Sequence, residues 1–251
     1  MTQRFFVEIA FDGTNYFGWQ IQAKQVSVQG KIQEILSKVY NTEITITGCG
    51  RTDTGVHAKQ YFFHFDAPFK RERLKESLTL MFPKDISIIE IYEVNQDAHT
   101  RFDATSRSYT YYLHHKKDIF NRHYSLATNL KDLDAEKINA ACQVFLNEKN
   151  YLPLCKKNPE LSNHLSDVNE VSFLFSEDKT KAVFQVTANR FLHNQIRRMV
   201  GALLNVGNGR LEVSELEFAM QNDTLLKLND TVSAHALFLH SIKYPYICAQ
   251  K

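Results

Sequence analysis

Between residues 44 and 65 the chain sets a glycine-rich loop between two runs of strand character, and this arrangement restricts the fold more than any other stretch. The loop reads Gly48-Cys49-Gly50-Arg51-Thr52-Asp53-Thr54-Gly55-Val56-His57-Ala58. Before it, Ile44-Thr45-Ile46-Thr47 is β-branched, and after it Tyr61-Phe62-Phe63-His64-Phe65 is aromatic. Both compositions suit a pleated, half-buried surface and predict a strand on each side. Three glycines in eight residues predict a sharp backbone that neighbours approach closely. Such a loop presents its single carboxylate, Asp53, instead of burying it. Two readings are open: a structural connection in which Arg51 and Asp53 pair or cap, or a reactive carboxylate on display.

A chain of 251 residues with 43% hydrophobic content can bury a large core as one domain or two intimate ones. No apolar run reaches the roughly 20 residues of a membrane span, and Met1-Thr2-Gln3-Arg4 enters a strand-like run without a signal-peptide core. A cytoplasmic protein is expected. Cys49, Cys142, Cys155 and Cys248 are far apart and form no Cys-x-x-Cys pair, so reduced thiols are expected rather than a disulfide framework or a zinc site. The histidines suggest no metal either: His114 and His115 point to opposite sides of a strand, as do His235 and His240.

The formal charge of +2 is too mild to demonstrate nucleic-acid binding. Any RNA site must be a local patch. Candidate cations are Lys70, Arg71, Arg73 and Lys75, then Arg101 and Arg107, Lys116 and Lys117, Lys156 and Lys157, and Arg197 with Arg198. Taken singly, each is a solvated charge.

Periodicity predicts a strand over Arg4–Phe11, then a helix with Val28, Ile32, Ile35, Leu36 and Val39 on one face and Ser27 as its N-cap. Further helices are predicted near Lys70–Met81 and Leu133–Leu146, and strands near Ile86–Tyr92, Arg107–His115, Val171–Phe175, Lys181–Thr187 and Ala236–Ile242. The helix after the Lys181–Thr187 strand is predicted to carry Leu192, Ile196, Met199, Val200 and Leu203 on one face, and Ser214 with Glu217 fits a capping box for another. The short connection after Phe175 favours an antiparallel hairpin, and the fold class expected is α+β.

The segment around Asp53 resembles the signature of the TruA family of pseudouridine synthases, Gly-Arg-Thr-Asp-x-Gly-Val-His-Ala. Phe11-Asp12-Gly13-Thr14-Asn15-Tyr16-Phe17-Gly18-Trp19-Gln20, Ser27-Val28-Gln29, the run Arg101–Tyr111 and the run Asn189–Gly201 resemble other segments of that family in the same order. The resemblance implies two similar α+β halves with mostly antiparallel sheets flanked by helices around a central positively charged cleft. The halves expected are 1–105, carrying the Asp loop, and 106–251, carrying the active-site Tyr and Arg, joined as one continuous sheet unit.

The implied activity is isomerisation of uridine in tRNA, usually at uridines 38, 39 and 40 of the anticodon stem-loop, by a homodimer. The reaction breaks the bond from ribose C1' to the uracil nitrogen, rotates the base and joins C1' to C5. It adds no external atom, so it needs no redox cofactor, nucleotide or metal. By the resemblance Asp53 is the catalytic carboxylate, either nucleophile at C1' or base at C2'. Arg197 is its charge partner, because desolvation alone would neutralise the carboxylate. Tyr109 stacks on the target base, and Arg51 fills the gap left when that base leaves its stack. Arg101, Arg107 and Arg198 are the remaining candidate RNA contacts. His57 is read as stabilising the loop, and Trp19 and Gln20 as packing.

Two segments depart from the family pattern: Asn150-Tyr151-Leu152-Pro153-Leu154 with the polar loop after it, and Ala236 where glycine is usual. The rival readings are a divergent paralogue with other RNA targets, a non-catalytic RNA-binding relative, and a glycoside hydrolase, which would need a second carboxylate that no motif supplies.

Overall fold

The structure, a computed structural model, describes residues 2–69, 72–156 and 162–247. Lys70, Arg71, Lys157 and Cys248 lie outside the described residues. The chain is α+β, with five α-helices and nine strands among the described residues. It divides into two compact units, Met1–Thr105 with Phe238–Lys251, and Ser106–Leu237.

In the first unit, strands β1 (Gln3–Phe11), β2 (Thr47–Gly48), β3 (His57–Ala67) and β4 (Ile86–Val94) combine with helices α1 (Val28–Tyr40) and α2 (Leu74–Met81). β1 lies antiparallel between β4 and β3, with Val7 opposite both Phe63 and Ile91. Phe6, Val7, Ile9, Tyr61, Phe62, Phe63 and Phe65 are all buried. Burial on successive positions explains why these runs are mostly apolar instead of alternating. The Ser27 side chain accepts from the Gly30 N–H and caps α1, which buries Val28, Ile32, Ile35, Leu36 and Val39 as its stripe predicts.

The strand expected at Ile44–Thr47 is a correction: only Thr47–Gly48 pairs, against His64 and Phe63 of β3. Side chains of α1 take the backbone bonds a strand partner would have taken. Ser37 Oγ accepts from the Ile44 N–H at 3.0 Å, Gln33 Oε1 from the Ile46 N–H at 3.2 Å, and Gln29 Nε2 donates to the Ile46 carbonyl at 3.0 Å.

In the second unit, β5 (Ser106–His114), β8 (Lys181–Ala188) and β7 (Val168–Phe175) form an antiparallel sheet, with β6 (Leu126–Ala127) parallel to β5. Helix α3 (Ala135–Asn147) packs on β7 and against α4 (Gln195–Gly207) and α5 (Val213–Gln221). The divergent run after α3 is part of this core, because Tyr151 is fully buried and its hydroxyl donates to the Phe145 carbonyl at 2.6 Å.

Two further expectations change. The capping box that opens α5 is Glu212 with Glu215, two residues before the Ser214–Glu217 pair, so a carboxylate and not a hydroxyl caps the helix. The last strand, β9 (Leu237–Lys243), pairs in parallel with β3, His57 opposite Phe238 and Ala58 opposite Leu239. Residues from Phe238 onward therefore belong to the first unit and not to the expected 106–251 half. A long-range parallel register leaves no local trace in a seven-residue strand. Among the described residues no helix is long and apolar enough to cross a membrane.

Candidate active site

Asp53 sits between β2 and β3 in a loop whose backbone is fastened at several points. The Cys49 N–H donates to the Phe62 carbonyl at 2.8 Å, and the Tyr61 hydroxyl donates to the Gly50 carbonyl. On the far side the Trp19 N–H donates to the Thr52 carbonyl at 3.3 Å, the Gly55 N–H to the Tyr16 carbonyl at 3.4 Å, and the Val56 N–H to the Asp53 carbonyl at 3.2 Å. The turn at residues 16–19 is thus the seat of the carboxylate loop. Gly18 makes this contact possible: it has φ +78, and a Cβ there would lie 2.2 Å from the Thr52 carbonyl oxygen.

Trp19 is 2% exposed and stacks on Tyr61 at 4.1 Å, so it is a packing residue beneath the loop. His57 opens β3 and is buried. The Gly13 N–H donates to its Nδ1 at 3.0 Å, Asp12 Oδ1 lies 3.1 Å from the same nitrogen, and its ring stacks on Phe238 at 4.5 Å. These contacts tie the turn after β1 to the start of β3, which is a structural task. Asp53 itself is half-buried and Arg51 is exposed. Arg101, also of the first unit, is exposed, with its N–H donating to His99 Nδ1 at 3.1 Å.

In the second unit Tyr109 lies on β5 opposite Val186 of β8, half-buried, with its ring edge-on to Phe191 at 5.2 Å. Two residues on, Tyr111 is fully buried and its hydroxyl donates to the Ser233 carbonyl at 2.8 Å. Burial pushes the Tyr111 pKa far above the ordinary phenol value, and the nearby charge of Arg197 pulls the other way. Arg197 on α4 is half-buried; its Nε donates to the Val232 carbonyl at 2.7 Å and its Nη1 to Asn194 Oδ1 at 3.2 Å. Tyr109 thus lies beside Phe191, and Arg197 lies near Tyr111, two residues along β5 from Tyr109.

Arg198 donates from Nη1 to the Cys155 carbonyl and from Nε to Thr231 Oγ1 at 3.4 Å. Arg107 donates from Nη1 to the Asn189 carbonyl at 2.7 Å. Each thus spends part of its guanidinium on holding backbone. Sequence reasoning missed Gln195, which is wholly buried at the start of α4: its Oε1 accepts from the Leu192 N–H at 2.8 Å, and its Nε2 reaches Ser166 Oγ at 3.3 Å. Its signal was a polar residue at the head of an apolar helical stripe. Gly18 was missed as the seat of the loop because close approach across 34 residues has no local signature.

A protein-family model described as tRNA pseudouridine synthase matches residues 141–245. The chain is 35% identical over 246 residues to a tRNA pseudouridine synthase A of Bacteroides fragilis, covering 97% of each chain. It is 37% identical over 247 residues to that of Parabacteroides distasonis, covering 97% of this chain and 96% of the relative. To that of Francisella tularensis subsp. novicida it is 31% identical over 248 residues, covering 97% and 95%. Similarity of this extent, running through both units and all the segments described above, places the chain in the tRNA pseudouridine synthase A family of isomerases.

Proposed function

We propose that this protein converts uridine to pseudouridine in the anticodon stem-loop of tRNA, at uridines 38, 39 and 40, with Asp53 as the catalytic carboxylate. The observation that carries the reading is the fastening of the Asp53 loop onto the turn at Gly18 and Trp19, which holds one half-buried carboxylate on a fixed backbone. A preorganised group loses little freedom when substrate arrives. Asp53 either attacks C1' or removes the C2' proton, and in both routes it must be ionised while water is excluded. Arg197 is the cation that keeps it so.

Tyr109 stacks on the uracil ring after the base leaves its helix and takes part in proton transfer at C5. Arg51, exposed and two residues before Asp53, occupies the vacated place in the stack. Arg101, Arg107 and Arg198 bind phosphates of the RNA. The isomerisation exchanges one bond to C1' for another within a single nucleotide, so no cofactor takes part. The working form is a cytoplasmic homodimer, since one small subunit cannot span both the body and the anticodon arm of a tRNA.

The test is incubation of tRNA from cells lacking this enzyme with wild-type protein and Asp53→Ala, followed by position-resolved pseudouridine mapping. New pseudouridine at positions 38 to 40 with wild type alone is the expected result. None with wild type would end the proposed activity, and equal yield from Asp53→Ala would end the assigned mechanism.

A further inference from the structure

We propose that Phe102 is a stacking platform for one unpaired base of the RNA, held beside Arg101 and referenced rigidly to the loop that carries Asp53. The residue is 74% exposed, although a phenyl ring gains nothing from water. An isolated exposed aromatic is ordinary when its side chain is free to move. This one is held by contacts of its own turn.

The Phe102 ring leans on the His99 imidazole at 4.2 Å, and the Arg101 guanidinium carbon lies 5.7 Å from the ring centroid. The backbone beneath is equally fixed. His99 Nδ1 accepts from the Arg101 N–H at 3.1 Å and the Phe102 N–H at 3.4 Å. The His99 N–H donates to Asp103 Oδ2 at 2.7 Å, and the Asp103 N–H returns to the His99 carbonyl at 3.1 Å. The Tyr246 hydroxyl donates to the same Asp103 oxygen at 2.6 Å, which brings Tyr246 against the turn. Burial, ahead of every charge effect, holds His99 below the ordinary imidazole range, so the ring stays neutral and keeps a lone pair for these amides.

The turn is also tied to the catalytic loop. The Thr100 hydroxyl donates to the Thr47 carbonyl at 3.0 Å, and Thr47 begins the two-residue strand from which the Asp53 loop departs. A base resting on Phe102 is thereby held at a set position relative to Asp53. An aromatic face accepts any base, and the adjacent guanidinium contributes cation–π attraction and a phosphate contact. Every base has a π-face, so such a platform positions RNA without reading its sequence.

This inference rests on RNA being the substrate. The test measures tRNA affinity as a function of salt, single-turnover rate and sedimentation for the full-length protein with Phe102→Ala, Phe102→Leu, Phe102→Trp and Arg101→Ala. Phe102→Ala and Phe102→Leu are expected to bind about 5- to 150-fold more weakly, the range for one base–aromatic stack, with the salt slope unchanged. Phe102→Trp restores affinity. Arg101→Ala flattens the salt slope by about one phosphate contact. Wild-type affinity in Phe102→Leu overturns the platform, as does a change of oligomeric state without a change in affinity. Wild-type protein that binds tRNA yet makes no pseudouridine overturns the proposed function while the affinities still decide the platform. No binding of tRNA by the wild type overturns both.

Discussion

Asp53 can act as nucleophile or base only while it is ionised, and removing water from around it works against that state. Asp53→Asn keeps shape and hydrogen bonding but removes the charge. It is expected to retain tRNA binding within about threefold and to lose at least about 1000-fold in turnover, measured by single-turnover tritium release from 5-labelled uridine. Arg197→Gln removes the cation proposed to hold the carboxylate charged. Single-turnover rate is expected to fall at least about tenfold with tRNA affinity within about threefold of wild type; an unchanged rate would detach Arg197 from Asp53. Both proposed assignments come from the sequence through the family resemblance, because family signatures are short motifs. What the motifs left unsaid is that Arg197 also binds the Val232 carbonyl and Asn194 and lies near the buried Tyr111.

At the scale of elements, helices read well and short strands did not. Helix α1 was visible because its cap and its apolar stripe lie within thirteen residues of one another. The run at Ile44–Ile46 looked like a strand because β-branched residues favour extended backbone, but its amides and carbonyl are taken by Ser37, Gln33 and Gln29 of α1. Capping of α5 by Glu212 shows the same limit, since a glutamate at an N-cap carries no strong statistical signal. The seat of the Asp53 loop gives a prediction at this scale. In Gly18→Ala a Cβ meets the Thr52 carbonyl on a backbone with φ +78, so the loop must shift. A fall in kcat of at least about tenfold is expected, with a loss of about 1 to 3 kcal/mol in unfolding free energy by urea titration. An unchanged kcat in a destabilised protein would mean that the seat matters for folding alone.

For the molecule as a whole, the first unit carries its own pH sensitivity. His64 is 6% exposed, hydrogen-bonded to Thr100 Oγ1 at 2.8 Å, and its pKa is lowered to about 4, first by burial and then by Arg4 and His99. The unfolded chain binds a proton near the ordinary 6.5 while the folded one does not. The stability this group provides is therefore complete above about pH 6.5 and is lost as pH falls towards 4. Unfolding free energy is expected to drop by about 2 kcal/mol across that window after allowance for solvent screening, and His64→Gln should flatten the slope in calorimetry at pH 4 to 7. The sequence by itself determined the α+β class, the helices and the family motifs, because periodicity, capping and motif signatures act over a few residues. Only the tertiary structure decided that β9 joins the first unit, that Gly18 seats the Asp53 loop and that Phe102 is held in the open. Each of these depends on contacts between segments distant in the chain, or on the accessibility that the finished fold leaves, and neither is encoded in local sequence.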